Sequence, residues 1–187
     1  MSRDKRLQDR SIYPHWCSDT VRFSDQDGAG HVNNVAICAY METARLTFMR
    51  DMGQETGMVA PREGGIRGIS AGMTVSFLAE SHWPGKVELG TGVLKIGTSS
   101  ITVASAAFRD ELCIAAAEMT VVRLKGKAPH PIDDAFRAAL DKYRAFEGAT
   151  VTATVTGVIA KKSKRSCISA HFCHVSPPPC QRVQRSP

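Results

Sequence analysis

The sequence predicts an α+β domain in which one long helix lies against an antiparallel sheet. Two periodicities and one shift in composition carry that prediction. Between Asn34 and Phe48, apolar residues recur at helical spacing. Between Ile69 and Leu124, four apolar stretches alternate with turn signals, and after Glu147 the composition changes abruptly.

In chain order, residues 15–24 end in "TVRFS", where Val21 and Phe23 alternate with polar neighbours, so a strand is expected to enter the following loop. From Asn34 the period changes: Ile37, Tyr40, Met41, Ala44 and Phe48 fall on one helical face, and Gly53 marks the expected stop. "ISAGMTVSF", "GKVELGTGVLKIG", "SSITVASAAF" and "LCIAAAEMTVVRL" then read as four strands. They are divided by turns at Trp83-Pro84-Gly85, Gly97 and Arg109-Asp110, and connections this short favour antiparallel neighbours. Val87, Leu89, Thr91 and Val93 alternate cleanly, and the strand at 112–124 is apolar on both faces, which suits an interior position. A second helix is expected to start at Asp133, a capping residue, and to turn Phe136, Leu140 and Tyr143 inward. The sheet then lies on one side of the helices. The domain is drawn over 15–147, with an N-terminal extension at 1–14 and a basic tail at 148–187.

Charge and cysteine content locate rather than identify. The net charge of +6 is accounted for by Lys161, Lys162, Lys164, Arg165, Arg182 and Arg185, all in the tail, where no acid remains. The body is electrically balanced, which argues against the broad basic face that a nucleic-acid partner requires. No apolar run reaches the roughly 20 residues of a membrane span. "MSRDKRLQDRSIYPHW" lacks an apolar core for secretion and carries Asp4 and Asp9, so a cytoplasmic location is expected. Cys17, Cys38 and Cys113 stand apart among apolar neighbours and read as small core residues or free thiols. The tail, with its Pro triplet and little to bury, reads as disordered. Its Cys167, His171, Cys173, His174 and Cys180 match no closed four-ligand zinc pattern, and no metal or cofactor is assigned.

The chemistry concentrates in "SDQDGAGHVNN". Asp25 and Asp27 are two residues apart at a strand end, so persistent strand geometry would aim both carboxylates to one side. Two close acids disfavour joint ionisation and would hold one near the pKa of a general base. Gly28 and Gly30 supply backbone freedom and a close approach to the main chain. A helix opening at Asn33 or Asn34 offers unpaired N–H groups to a developing oxyanion. A carboxylate beside a helix N-terminus is the minimum equipment for hydrolysing an activated acyl group. On local evidence alone the balance falls toward a turn and a helix cap, with His31 a hydrogen-bonded turn residue and Glu42–Arg45 an ion pair.

"VRFSDQDGAGHVNNVAICAYMETAR" resembles the signature loop of the hot-dog-fold acyl-CoA thioesterases, in the 4-hydroxybenzoyl-CoA thioesterase-like branch. The matching residues are Asp25, Asp27, Gly30, His31, Val32, Asn33, Asn34, Tyr40, Glu42, Ala44 and Arg45. "FLAESHWPGKVELGTGVLKIGTSSITV", "AAAEMTVVRLK" and the last helix extend the likeness over roughly 15–145. The resemblance implies a long helix wrapped by a curved antiparallel sheet, and sheets joined edge to edge in a homodimer or homotetramer with shared sites.

It further implies hydrolysis of an acyl- or aroyl-CoA thioester, with Asp27 as general base or nucleophile. The backbone N–H at Asn34, with Val35 close by, would polarise the thioester carbonyl. His31 joins the catalytic candidates, and Gly30, Asn33, Ser99, Ser100, Arg123 and Lys125 the substrate-binding ones. Ser99 and Ser100 would line the pocket from a neighbouring subunit, and Arg123, Lys125 and Lys127 would meet coenzyme A phosphates. Two rivals remain at this stage: a hot-dog enoyl-CoA hydratase or dehydratase, pairing Asp27 with His31, and a non-catalytic acyl-CoA-binding sensor.

Overall fold

The chain's structure, a computed structural model, describes residues 4–56 and 65–146. The tail from 148 onward, with its expected disorder, lies outside the described residues. Strand β1 (His15–Val21) leads through a loop to helix α1 (Asn34–Thr56). Four long strands follow: β2 (Ile66–Phe77), β3 (Gly85–Ile96), β4 (Ser100–Arg109) and β5 (Leu112–Lys125). A two-residue strand, β6 (Ala128–Pro129), and helix α2 (Asp134–Asp141) complete the domain. The pairings are antiparallel in the order β1-β3-β4-β5-β2, with β6 added to β5. One helix laid on a curled antiparallel sheet is the hot-dog arrangement that the resemblance implied.

The alternation in each strand sorts its side chains between two cores. Val87, Leu89 and Val93 of β3 and Val103 and Ala107 of β4 meet Ile37, Tyr40, Met41, Ala44 and Phe48 of α1. All five of those helical residues are buried, as their spacing required. Thr91 faces the same way; its hydroxyl and that of Ser105, directly across the ladder, lie 3.0 Å apart and satisfy each other. On the opposite face, Ala104, Ala106 and Phe108 pack with Leu7 and Tyr13 from the residues ahead of β1. Those residues form two 3-10 turns, Lys5–Gln8 and Arg10–Ile12. Tyr13 runs so close over β3 that a Cβ on Gly90 would stand 2.7 Å from its ring. Glycine is needed there for approach, not for backbone freedom.

One expected boundary shifts. Helix α1 runs through Gly53 to Thr56. Gly53 is buried within it, so packing of the helix outweighs the weak propensity of one glycine. The second helix does start where its cap was expected: Asp133 accepts the Phe136 N–H at 2.9 Å. Strand β5 lies inside the sheet, between β4 and β2. Strand β2 is an edge, exposed along most of its length, with Ile69, Met73 and Phe77 open to solvent. Among the described residues, no helix is long and apolar enough to cross a membrane.

Candidate active site

The strand entering the loop stops at Val21, and Phe23–Asp25 turns as a 3-10 helix. The two acids therefore do not share a side, which corrects the expectation of a coupled carboxylate pair. Asp25 turns inward. Its Oδ2 accepts the Tyr40 hydroxyl at 2.6 Å and the Arg22 N–H at 2.8 Å. Its main-chain carbonyl accepts both the backbone N–H of Asn33 (2.9 Å) and the side-chain amide of Asn33 (2.8 Å). Burial works to raise the Asp25 pKa, but the Tyr40 and Arg22 hydrogen bonds and the Arg22 charge outweigh it, so the net shift is downward. Burial, and then the neighbouring Asp25 carboxylate, push the Tyr40 hydroxyl pKa upward in return.

Asp27 turns outward. A bridge between Gln26 and Val32 closes a tight hairpin around it, with Asp27 N–H donating to the His31 carbonyl at 2.8 Å. Gly30 makes that turn possible at φ +84°, a left-handed conformation that L side chains rarely adopt; Gly28 has no such requirement. The Asp27 Oδ1 accepts N–H bonds from Ala29 (2.9 Å) and His31 (3.1 Å). Those bonds, with the nearby His31 ring, lower its pKa below the ordinary carboxylate value. Asp27 is thus held as an anion, not tuned upward toward a neutral-pH base.

Helix α1 opens beside it. Asn33 caps the helix, its Oδ1 accepting the Ala36 N–H at 2.8 Å. That leaves the first helical N–H groups, at Asn34 and Val35, without partners inside the helix. Asp27, His31, Asn34 and Glu80 line one cleft of about 310 Å³, floored by Val32, Ile37, Phe77 and Leu78. Backbone pairing fixes the two walls: Val32 N–H donates to the Ser81 carbonyl at 2.7 Å. Val35 is well exposed, and neither it nor Gly30 nor Asn33 lines the cleft. Glu42 and Arg45 form the expected ion pair, a bidentate one.

The remaining candidates lie elsewhere. Strand register places Phe77 beside Ala115, which pairs on its other side with Ala107, whereas Ser100 pairs with Val122 and Lys125 with Ile66. The two groups thus occupy opposite ends of β4 and β5, roughly 20–35 Å apart at strand rise. Ser99 stays with the far group, its carbonyl accepting the Arg123 N–H at 2.8 Å. The Arg123 guanidinium is already engaged: it pairs with Asp133 at 2.8 Å and lies over the Phe136 ring. Lys125 and Lys127 are exposed. Sequence reasoning missed Glu80, Phe77 and Leu78 as cleft residues. Their only signal was their place at the end of a strand, and the tie to residue 32 is a long-range contact.

With this geometry in place, comparisons with known proteins become informative. Residues 21–140 match the thioesterase-like superfamily. No curated protein matches the chain. Among solved structures, a thioesterase complexed with coenzyme A and Zn from Thermus thermophilus is similar at 27% identity. It aligns over 72% of this chain and 97% of its own length, with a TM-score of 0.60. The PA5185 protein from Pseudomonas aeruginosa strain PAO1 is also 27% identical, over 72% of this chain and 94% of that one, at a TM-score of 0.62. A thioesterase-superfamily protein from Jannaschia sp. CCS1 is 25% identical over 70% and 86%, at 0.60.

Proposed function

We propose that this chain, which belongs to the thioesterase-like superfamily, hydrolyses acyl- or aroyl-CoA thioesters to the free acid and CoA. One observation carries the reading: an ionised carboxylate, Asp27, and the first residue of helix α1, Asn34, line the same cleft. The Asn34 N–H is placed to polarise a thioester carbonyl and to hold the oxyanion that forms when it is attacked. Asp27 supplies the attack, either directly or through water.

The depressed pKa of Asp27 favours the direct route, because a weak base is a poor proton acceptor but a persistent anion. In that route Oδ2 adds to the carbonyl carbon, the C–S bond breaks, and CoA leaves as thiolate, giving a mixed anhydride on Asp27. Water then cleaves the anhydride, releasing the acid and restoring the carboxylate. His31 contributes its backbone N–H to Asp27 in this scheme; its ring is not required for the attack.

A second copy of the chain is part of the reading. About 310 Å³ is at the low end for a ligand site. Strand β2 is a long edge with exposed apolar residues, which unpaired edges avoid. Antiparallel pairing of two β2 strands about a two-fold axis would set the Ile66 end of one beside the Phe77 end of the other. That pairing would bring a second copy's Ser99, Ser100 and Lys125 toward the cleft, which a single copy keeps roughly 20–35 Å away. The coenzyme A bound by the Thermus thermophilus relative fits the choice of thioester carrier.

The test is thiol release across a panel of acyl- and aroyl-CoA substrates. Stoichiometric free thiol supports the hydrolase. A change in double-bond absorbance without thiol identifies a hydratase, and tight binding with neither identifies a sensor; either outcome overturns the proposal.

A further inference from the structure

We propose that His31, Glu80 and His82 form a binding site for a zinc-type divalent metal ion at the mouth of the cleft. One ligand atom from each of the three residues lies within 4.8 Å of the other two. A tetrahedral ion with bonds of about 2.0–2.1 Å spaces its ligand atoms about 3.3 Å apart. The His31 Nε2 to Glu80 Oε2 separation, 3.5 Å, is already close to that edge. The His31 and His82 rings stand edge to face with centroids 5.0 Å apart. Glu80 and His82 are exposed and His31 half-exposed, so the remaining closure of about 1.5 Å needs only side-chain rotation.

Three features set the cluster apart from an incidental ion pair. The first is its backbone. The Val32 N–H to Ser81 carbonyl bond fixes residue 31 beside residues 80 and 82, which flank Ser81 in the connection between β2 and β3. The second is the tautomer of His82. Its Nδ1 lies 3.1 Å from the Gly30 carbonyl, which can only accept, so a proton on Nδ1 serves that contact and Nε2 is the ring nitrogen left to face a metal. A ring N–H donated to a backbone carbonyl is the usual orienting contact of a metal-binding histidine. The third is the donor set. Two imidazoles and one carboxylate suit zinc or cobalt, not magnesium or calcium, and they leave a fourth position for water or a substrate oxygen.

An ion held there would clip the hairpin carrying Asp27 to residues 80–82 and place positive charge beside the cleft that Asp27 lines. The tail's cysteines and histidines are the competing ligands, and a thiolate can be told from an imidazole by its spectrum. The experiment is a cobalt(II) titration of the full-length protein, read by visible absorption and repeated with zinc competition.

The expected result is one equivalent bound through nitrogen and oxygen, without a thiolate charge-transfer band. His82→Ala and Glu80→Gln should each weaken binding at least 10–100-fold, the usual loss for perturbing a metal's ligand environment. The triple variant Cys167→Ser/Cys173→Ser/Cys180→Ser should bind as the unaltered chain does. Zinc at a hundred times its Kd should raise the melting temperature by roughly 5 °C or more, and not in His82→Ala. Both altered side chains are exposed, so their metal-free melting temperatures should match that of the unaltered protein; where one variant fails to fold, the other carries the test. Absence of saturable binding overturns the site, as does binding that survives both substitutions or vanishes with the tail cysteines. None of these outcomes bears on thiol release, so the site and the hydrolase reading fail separately.

Discussion

Asp27→Asn tests the proposed chemistry with the least disturbance, because the structure shows what the amide keeps. Asp27 Oδ1 accepts two N–H bonds, from Ala29 and His31, and an asparagine Oδ1 can accept both. The hairpin should therefore persist, and only the charge and the nucleophilic oxygen are lost. What remains is the Asn34 N–H and the apolar walls, enough to bind and polarise a thioester but not to attack it. We expect kcat to fall about 10²–10⁴-fold with KM changed far less, the signature of an interaction that acts in the transition state.

Asp25→Asn is the internal control. Asp25 holds Tyr40 and the Arg22 N–H, so that change should cost about 1–3 kcal/mol of stability while reducing turnover much less. Thiol release and thermal melting on both variants give a crossed pattern: one loses rate and keeps stability, the other the reverse. A well-folded Asp27→Asn enzyme with near-normal turnover would show that the loop is only a helix cap, and the mechanism would be wrong.

Three further outcomes follow from packing and charge. Gly90→Ala forces a methyl to 2.7 Å from the Tyr13 ring, an overpacking that should cost about 1–3 kcal/mol and lower the melting temperature by roughly 3–9 °C; an unchanged midpoint would mean that the segment ahead of β1 yields freely. Asp25, Asp51 and Asp133 all have lowered pKa values, so their stabilisation is complete above the ordinary value of 3.8 and is lost as pH falls through the lower folded values. The melting temperature should be flat from about pH 7 to 5 and drop below about pH 4, and a decline beginning near pH 6 would contradict the assignment. Met73→Lys puts a charge on the exposed β2 edge and should convert a dimer to monomer in light scattering, with loss of thiol release; a fully active monomer would end the shared-site reading.

Much of the fold was legible because it rests on short-range periodicity. The α1 face, the alternation of β3 and the Asp133 cap each depend on residues within one or two turns of one another, and each appears as read. Gly53 misled because burial of α1 supplies more free energy than one glycine removes. Strand order was legible only in part: the interior place of β5 was read from its apolar faces, but the place of β2 was not. β2 carries Ile69, Met73, Val75 and Phe77 and reads simply as a strand; only the assembled sheet shows that it is an edge. His31 and His82 stand 51 positions apart, and their meeting depends on one backbone bond between Val32 and Ser81.

The acid pair shows how a correct motif can carry an incorrect electrostatic reading. Spacing two carboxylates by one residue suggested mutual repulsion, but that requires strand geometry, and the 3-10 turn at Phe23–Asp25 removes it. What the turn creates is a division of tasks. Asp25 binds the loop to α1 through Tyr40 and to the helix cap through Asn33, so the first free N–H groups of α1 are fixed relative to the hairpin. Asp27, on that fixed hairpin, is held ionised by two N–H donors and faces the cleft. In the proposed reaction, positioning of this kind would lower the reorganisation needed when charge moves from carboxylate to carbonyl oxygen. In the proposed division the two acids are engaged differently: Asp25 has given its Oδ2 to Tyr40 and Arg22, and Asp27 rests its Oδ1 on the N–H groups of Ala29 and His31.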